Sequence, residues 1–168
     1  LAHNYRVLRG LCPPDCKFLG VVKADAYGHG AVPVARTLQD LGAEMLAVAC
    51  LDEAVQLRQA GVTIPILCLG QTPVELAGDL LEYDVTQTVG DLELGRALSA
   101  AAAAAGKELA IHIKLDTGMG RLGFTWREGS QAATVEEIKA LCALPSLRAE
   151  GMFTHFAAAD EDVDYTEL

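Results

Sequence analysis

The sequence is short of basic residues. Its 168 residues include 13 Lys and Arg against 23 Asp and Glu, which gives a formal net charge of −10 and a pI of about 4.7. A surface of this sign repels phosphate backbones, and no basic patch for docking on a membrane stands out. Nucleic acid is therefore not an expected partner. Apolar residues make up 51% of the chain, which favours a packed domain over a disordered one.

Long apolar runs and paired cysteines are also lacking. No stretch approaches the roughly 20 consecutive apolar residues that span a bilayer. The five cysteines are odd in number, and Cys12 and Cys16 have no second pair that would complete a zinc site. Reduced thiols of this kind indicate a cytoplasmic protein. The chain begins with Leu1 instead of Met, so we expect its natural N-terminus to lie further upstream.

Short apolar, β-branched segments alternate with helical ones along the whole chain. One helix is predicted to begin at Asp52 as its cap and to end before Gly61. The next begins with a capping box, Thr72-Pro73-Val74-Glu75, and a further helix runs from about Asp91 to Gly106. Strands are predicted at residues 18–23, 45–50, 64–69, 85–89, 109–116 and 149–155. Alternation of this kind predicts parallel strands with helical crossovers.

The polar face of one strand favours a closed barrel over an open sheet. In residues 109–116, His112, Lys114 and Asp116 share one face, opposite three aliphatic side chains. An open sheet that is covered by helices is apolar on both faces, whereas a barrel tolerates polar groups near the carboxyl ends of its strands. We therefore predict an α/β fold, a (β/α)8 barrel of the TIM type. About six of its eight units are present, so the chain is expected to be part of a longer protein.

Lys23 lies at the end of the first predicted strand. A lysine there is commonly a surface residue, but an amine on the inner face of an apolar strand is desolvated. Desolvation favours the neutral form, which can attack an aldehyde and form a Schiff base. Lys23 is therefore a candidate catalytic residue.

The segment from Lys114 to Phe124 contains glycines in the pattern G-x-G-x-x-G, at Gly118, Gly120 and Gly123. This pattern binds dinucleotides when it follows an apolar strand and begins a helix. Here the preceding strand carries His, Lys and Asp, and Arg121 lies within the pattern. The dinucleotide interpretation is therefore not favoured.

Three segments together resemble one family. Val22-Lys23-Ala24-Asp25-Ala26-Tyr27-Gly28-His29-Gly30 is similar to the cofactor-lysine motif of alanine racemases, in which Asn often replaces Asp25. The segments His112-Ile113-Lys114-Leu115-Asp116-Thr117-Gly118-Met119-Gly120-Arg121-Leu122-Gly123 and Phe153-Thr154-His155-Phe156-Ala157 resemble two further motifs of that family. Their order and spacing agree across nearly the whole chain.

The resemblance implies an enzyme that uses pyridoxal 5′-phosphate to interconvert L-alanine and D-alanine. Lys23 would be the Schiff-base lysine and one of two bases, and Tyr27 would lie near the cofactor phosphate. Arg121 would lie between the cofactor's phenolic oxygen and the substrate carboxylate. Lys114 corresponds to a lysine that is often carbamylated, and His155 to a histidine beside the cofactor ring. No metal is implied, and the role would be supply of D-alanine for peptidoglycan.

The resemblance also implies that residues 1–168 are a partial pyridoxal-phosphate-binding barrel. The remaining barrel units and a C-terminal β-domain would be absent from this sequence. In the family, that domain supplies the opposite base from the partner subunit of a homodimer. We therefore expect the 168 residues alone to be inactive.

Two other classes of protein remain open on the residues alone. A metal-dependent barrel hydrolase can also use a carbamylated lysine, although no H-x-H pair occurs among the four histidines. A non-catalytic pyridoxal-phosphate-binding barrel protein would bind the cofactor without exchanging a substrate proton, and it would have no use for Arg121. Serine or a wider range of amino acids remains possible as the substrate.

Overall fold

The computed structural model describes residues 1–167. They form two compact units, one of residues 1–87 and one that begins at Thr88. The first unit begins with a helix whose Tyr5 ring contacts Phe18 edge-on, with 4.9 Å between the ring centroids. Its elements, in chain order, are α1 (Ala2–Leu11), β1 (Leu19–Val21), α2 (Lys23–Tyr27), α3 (Ala31–Asp40), β2 (Met45–Val48), α4 (Leu51–Gln59), β3 (Ile66–Cys68), a 3-10 turn (Val74–Leu76), α5 (Ala77–Glu82) and the first residues of β4 (Val85–Val89).

The strands of the first unit are parallel and pair in chain order, β1 with β2, β2 with β3 and β3 with β4. The central strands β2 and β3 are almost fully buried, with Leu46 and Ile66 at 0% exposure. Burial on both faces is what parallel strands with helical crossovers require, and it explains their continuous aliphatic sequences. In β1, Gly20 is buried while Leu19 and Val21 are exposed, so one face of this strand is open.

Arg58 joins three parts of the first unit. Its guanidinium donates hydrogen bonds to the carbonyl oxygens of Val62 and Ile64, ahead of β3, and of Tyr83 and Asp84, ahead of β4. Burial lowers the pKa of Arg58, while the nearby charge of Asp84 opposes this effect. A planar cation with five donors can satisfy four carbonyls at once, which a lysine cannot do.

Two of the three predicted helix starts are wrong. Asp52 does not cap α4; the helix begins at Leu51 after Cys50, and Asp52 lies inside its first turn. The capping box at Thr72 does not form, because Pro73 precedes a 3-10 turn instead of opening an α-helix. The start at Asp91 is confirmed, since its carboxylate accepts a hydrogen bond from the backbone N–H of Leu94. Gly106 follows the end of that helix in the left-handed region, as predicted.

The second unit contains α6 (Leu92–Ala104), β5 (Leu109–Asp116), β6 (Phe124–Thr125), α7 (Gln131–Cys142), β7 (Leu147–Thr154) and α8 (Val163–Glu167), after the last residues of β4. Strand β5 pairs in parallel with β6 and with β7. Helices α6 and α7 pack closely, because Gly95 leaves space that the side chain of Leu141 fills. A Cβ at position 95 would lie 2.2 Å from Leu141.

All six predicted strands are present. The bounds of residues 85–89 and 109–116 agree fully, whereas the other four strands differ from the prediction by one or two residues at their ends. The prediction missed β6, which has two residues and no apolar run of its own. Within residues 1–167, no helix combines the length and the apolarity that crossing a membrane would need.

Candidate active site

Lys23 lies just beyond the carboxyl end of β1 and not within the strand as predicted. The last regular backbone bond of this strand joins the Val22 N–H to the Ala47 carbonyl of β2, at 2.8 Å. The chain then turns sharply: Ala24, Asp25, Ala26 and Tyr27 have φ angles of 51–55°. The segment α2 is thus a single left-handed turn. For non-glycine residues this conformation costs roughly 1–2 kcal/mol each, so other contacts have to hold it.

Side-chain carboxylates hold the left-handed turn at both ends. Glu53 of α4 accepts a hydrogen bond from the backbone N–H of Ala24 with one oxygen and from that of Ala49 with the other, both at 2.7 Å. Asp25 accepts from the N–H of Ala31, the first residue of α3, at 2.6 Å. The backbone on both sides of the turn is therefore fixed to neighbouring elements.

The turn presents two of the predicted site residues together. Lys23 is half-buried, and Tyr27 is 65% exposed, although aromatic residues are usually more buried. A half-buried lysine and an exposed phenol on one short segment can contact a ligand at the carboxyl edge of β1. Ligands bind at this edge in parallel α/β barrels.

In the second unit, Asp116 holds the glycine-rich loop of residues 117–123. Its carboxylate accepts hydrogen bonds from the backbone N–H groups of Gly118 and Gly120, at 3.0 and 2.9 Å, and lies 3.6 Å from the Arg127 guanidinium. The Gly120 bond contributes most to lowering the pKa of Asp116, and burial opposes it. The loop carries Arg121, whose side chain is exposed.

Gly123 lets the loop return against the backbone of β5. A Cβ at this position would lie 2.7 Å from the Asp116 nitrogen and 2.8 Å from the Lys114 oxygen, and the φ angle is 125°. Strand β6 follows, and not a helix. This confirms that the glycine pattern is not a dinucleotide-binding loop, since such a loop needs a helix N-terminus for the pyrophosphate.

Lys114 is buried on β5, with 9% of its surface exposed. Its Nζ lies 4.6 Å from the centre of the Phe153 ring on β7. Burial lowers the pKa of Lys114, the positive charge of Arg121 lowers it further, and Asp116 raises it. The structure thus brings Lys114 and Arg121 close enough for their charges to interact.

His155 follows the last residue of β7 and is exposed. With Met119 of the glycine-rich loop it lines a cavity of about 450 Å3 that also includes residues 154 and 156–161. The hydroxyls of Thr117 and Thr154 lie 2.7 Å apart, and Thr154 donates to the Leu115 carbonyl at 3.0 Å. These bonds tie the loop to the end of β7, so Met119 and His155 share one local site.

Sequence reasoning gave no role to Glu53, and it used Asp116 only as a polar residue of one strand face and as part of a motif. Both act on backbone groups, and Glu53 bonds to a residue 29 positions away. For Glu53, the available signal was its place in the first turn of a helix that follows a strand. An acidic residue there usually indicates a favourable charge at the helix start. No group of three or more His, Cys, Asp or Glu in the described part of the chain is arranged to hold a metal.

Comparisons with known proteins agree with this arrangement of strands and motifs. The model of the alanine racemase N-terminal domain matches residues 1–168. Alanine racemase from Desulforamulus reducens is 48% identical over 167 residues, which cover 99% of this chain and 44% of that protein. Alanine racemase from Desulfosudis oleivorans is 46% identical over 164 residues, covering 95% and 42%.

Solved structures give the same result. Alanine racemase from Clostridium difficile 630, in complex with cycloserine, matches with a TM-score of 0.92 and 44% identity, over 98% of this chain and 44% of that one. Histidine racemase from Leuconostoc mesenteroides subsp. sake matches with a TM-score of 0.84 and 33% identity, over 99% and 44%.

The fold and the motifs define the chain as a parallel α/β-barrel enzyme domain, so the predicted fold class is confirmed. The chain belongs to the alanine racemase family and matches its N-terminal domain. It spans less than half the length of the relatives described above. Family membership also decides against the metal-dependent hydrolase that the residues alone left open.

The role of Asp116 makes the stability of the protein depend on pH. Because folding lowers the pKa of Asp116, its stabilisation is present above the ordinary carboxyl pKa and is lost as the pH falls through the folded value. We expect Asp116→Asn to lower the free energy of unfolding by about 2 kcal/mol near neutral pH, and by much less in acid. Urea denaturation at both pH values would measure this.

The matched control is Glu137→Gln, which neutralises an exposed carboxylate on α7. It should change stability little at either pH. An Asp116→Asn effect of equal size at neutral and acid pH would contradict the proposed role of the charge.

Proposed function

We propose that this chain is part of a pyridoxal-phosphate-dependent racemase that interconverts L-alanine and D-alanine. The observation that carries the proposal is the position of Lys23. In a member of the alanine racemase family, this lysine leaves the carboxyl end of β1 on a left-handed turn that two carboxylates hold in place. A backbone segment that is held in this way suits a residue that must both bind a cofactor and move a proton.

The residues present suit pyridoxal phosphate. Lys23 offers a half-buried amine that can form a Schiff base with the cofactor aldehyde, and the exposed Tyr27 phenol can donate a hydrogen bond to the phosphate. His155, which is exposed and lines the cavity beside Met119, is proposed to lie next to the cofactor ring. When bound, the cofactor supplies an electron sink that stabilises negative charge at the substrate α-carbon.

The catalytic role proposed for Lys23 is that of a base. Once the substrate amine has replaced it, the free Nζ can remove the α-proton from one face of the substrate and return a proton to that face. The hydrogen bonds of Glu53 and Asp25 fix the backbone from which Nζ acts. A base works best when it is held within hydrogen-bond reach of its proton.

Arg121 is proposed to bind the substrate carboxylate and the cofactor's phenolic oxygen. A guanidinium holds an anion through two parallel hydrogen bonds, and the loop that carries it is fixed by Asp116. Lys114, a buried cation whose charge interacts with that of Arg121, is a candidate for carbamylation. In that reaction the ammonium first loses a proton, and the neutral amine then bonds to the carbon of carbon dioxide and loses a second proton, so a cation becomes an anion that attracts Arg121.

Racemisation needs a second base on the opposite face of the substrate. We propose that the partner subunit of a homodimer supplies this base from a C-terminal β-domain, and that this domain and the remaining barrel units lie outside this sequence. The share of the relatives that the chain spans, 44% in the first comparison, supports this division. The five cysteines are free in the structure, which supports a location in the reducing cytoplasm.

An amino acid other than alanine is the second candidate substrate. The match to a histidine racemase, at a TM-score of 0.84 over 99% of this chain, favours keeping this possibility. A lysine base, an arginine for the carboxylate and a cofactor suit any α-amino acid, because none of them contacts the side chain that distinguishes one substrate from another. Assays of the full-length protein with a panel of amino acids would identify the substrate.

Trapping the cofactor tests the proposal directly. Pyridoxal phosphate is added to the full-length protein, the Schiff base is reduced with borohydride, and the tagged peptide is located by mass spectrometry. We expect the tag on Lys23, and none in Lys23→Arg, because arginine keeps the charge but has no free amine to attack the aldehyde. Lys17→Arg is the control and should keep the tag. A tag on another lysine, or none, would refute the assignment.

The carbamylation of Lys114 is tested by intact mass. Under native conditions without acid, the full-length protein should carry the added mass of one carbon dioxide, since burial and the charge of Arg121 favour the neutral amine that reacts. Acid should remove this mass, and Lys114→Arg should lack it. An unmodified mass under native conditions would rule the modification out.

The division of the two bases predicts that residues 1–168 alone do not racemise alanine. The purified chain is incubated with L-alanine and pyridoxal phosphate, and D-alanine is measured by chiral chromatography, with the full-length protein as the positive control. Because racemisation needs a base on each face, turnover should be confined to the full-length protein. Measurable D-alanine from the short chain would show that the second base lies within it.

A further inference from the structure

Glu53 joins the turn after Lys23 to the neighbouring strand through its two carboxylate oxygens. Oε1 accepts a hydrogen bond from the Ala24 N–H, and Oε2 accepts one from the Ala49 N–H, each at 2.7 Å. Ala24 directly follows Lys23, and Ala49 directly follows β2. One side chain thus fixes the residue next to the proposed Schiff-base lysine.

The position of this carboxylate follows from the point at which the β1–β2 ladder ends. The last backbone bond between the two strands is donated by Val22 to Ala47. Beyond it the chain turns into the left-handed segment, so β1 no longer provides a carbonyl to continue the ladder. The Ala49 carbonyl accepts from Gly70 on the β3 side, while its N–H bonds to Glu53. Glu53 therefore takes the place of the missing strand partner.

Helix capping does not account for this arrangement. An acidic residue in the first turn of a helix interacts favourably with the helix dipole, and the bond to Ala49, four residues earlier, is of that local kind. The bond to Ala24 spans 29 residues and reaches a different element. The same first turn also contains Asp52, which gives the helix start a second negative charge. Its side chain is exposed, unlike that of the half-buried Glu53.

We propose that Glu53 is a positioning residue for Lys23, which holds the lysine backbone in the left-handed turn from which the amine reaches the cofactor. This inference rests on the proposed function, because it assumes that Lys23 binds pyridoxal phosphate. Glu53 acts through the backbone at Ala24 and does not itself contact substrate or cofactor. Loss of either hydrogen bond frees a turn whose backbone conformation is unfavourable without support.

Two substitutions separate the geometry of Glu53 from its charge. Glu53→Gln keeps the shape of the side chain but replaces one of the two acceptor oxygens with an NH2 group, which cannot accept from a backbone N–H, so one of the two bonds is lost. Glu53→Asp keeps the charge beside the helix start but is one methylene shorter, so it cannot reach both. Asp52→Asn is the control, since it removes a charge from the same helix turn without removing these bonds.

The measurements are made on the full-length protein. One is the affinity for pyridoxal phosphate, followed by the absorbance of the lysine-bound cofactor, and the other is hydrogen exchange at the amides of Ala24 and Ala49. Both Glu53 variants should bind the cofactor roughly ten-fold more weakly, the size expected for one lost charge-assisted hydrogen bond. At least one of the two amides should exchange roughly ten-fold faster, and Asp52→Asn should match the parent in both measurements.

The outcomes separate this inference from the proposed function. If borohydride tags Lys23 in the parent and both Glu53 variants keep its affinity and its amide protection, Glu53 has no positioning role while the function stands. If Glu53→Asp matches the parent and Glu53→Gln does not, charge at the helix start explains the effect and the positioning role is refuted. If the parent carries no tag on Lys23, the proposed function fails and the inference fails with it.

Discussion

The structure depends on what happens to backbone N–H groups where a parallel strand ends. Inside the ladder each group bonds to the next strand, but at the carboxyl end the chain leaves for a loop and the donors lose their partners. These donors then need another partner, and a side-chain carboxylate can replace the strand. In the first unit Glu53 does this for Ala24 and Ala49. In the second unit Asp116 does it for Gly118 and Gly120.

These hydrogen bonds from backbone N–H groups to carboxylates also position the reactive side chains. Each carboxylate bonds to backbone groups beside a cation, Lys23 in one unit and Arg121 in the other, without forming an ion pair with that cation within the described residues. An ion pair would lower the reactivity of the lysine and occupy the guanidinium. A carboxylate whose oxygens accept hydrogen bonds from backbone N–H groups fixes the segment and leaves the cationic group available for a ligand.

Much of the fold could be predicted from the sequence because its signals are local. The aliphatic runs of β2 and β3 and the alternation with helices identified the parallel strands, and the N-cap at Asp91 depended on four consecutive residues. The left-handed turn after Lys23 could not be predicted, since Ala24, Ala26 and Tyr27 rarely adopt positive φ angles. The two-residue strand β6 exists because Gly123 allows the chain to return against β5. Both features depend on tertiary contacts.

In the candidate site, too, some residues have a local sequence signal and others depend on tertiary contacts. The resemblance to family motifs singled out Lys23, Tyr27, Lys114, Arg121 and His155, and their roles stay predictions. Glu53 was missed since an acidic residue in a first helical turn has an ordinary local explanation, and its partner Ala24 offers no side-chain signal. A residue that acts on a distant backbone amide becomes visible only when the fold brings the two together.

The electrostatics of the second unit explain why a chain with a net charge of −10 can still attract anions at its proposed site. Asp116 is the carboxylate nearest in sequence to Lys114, but its oxygens bond to two backbone N–H groups and face Arg127. It therefore compensates the positive charge of Lys114 and Arg121 only in part: burial is the main cause that lowers the pKa of Lys114, and the charge of Arg121 lowers it further. The repulsion is relieved by losing the Lys114 proton, by converting that amine to a carbamate, or by binding an anion at Arg121. All three are compatible with a site for an amino acid carboxylate.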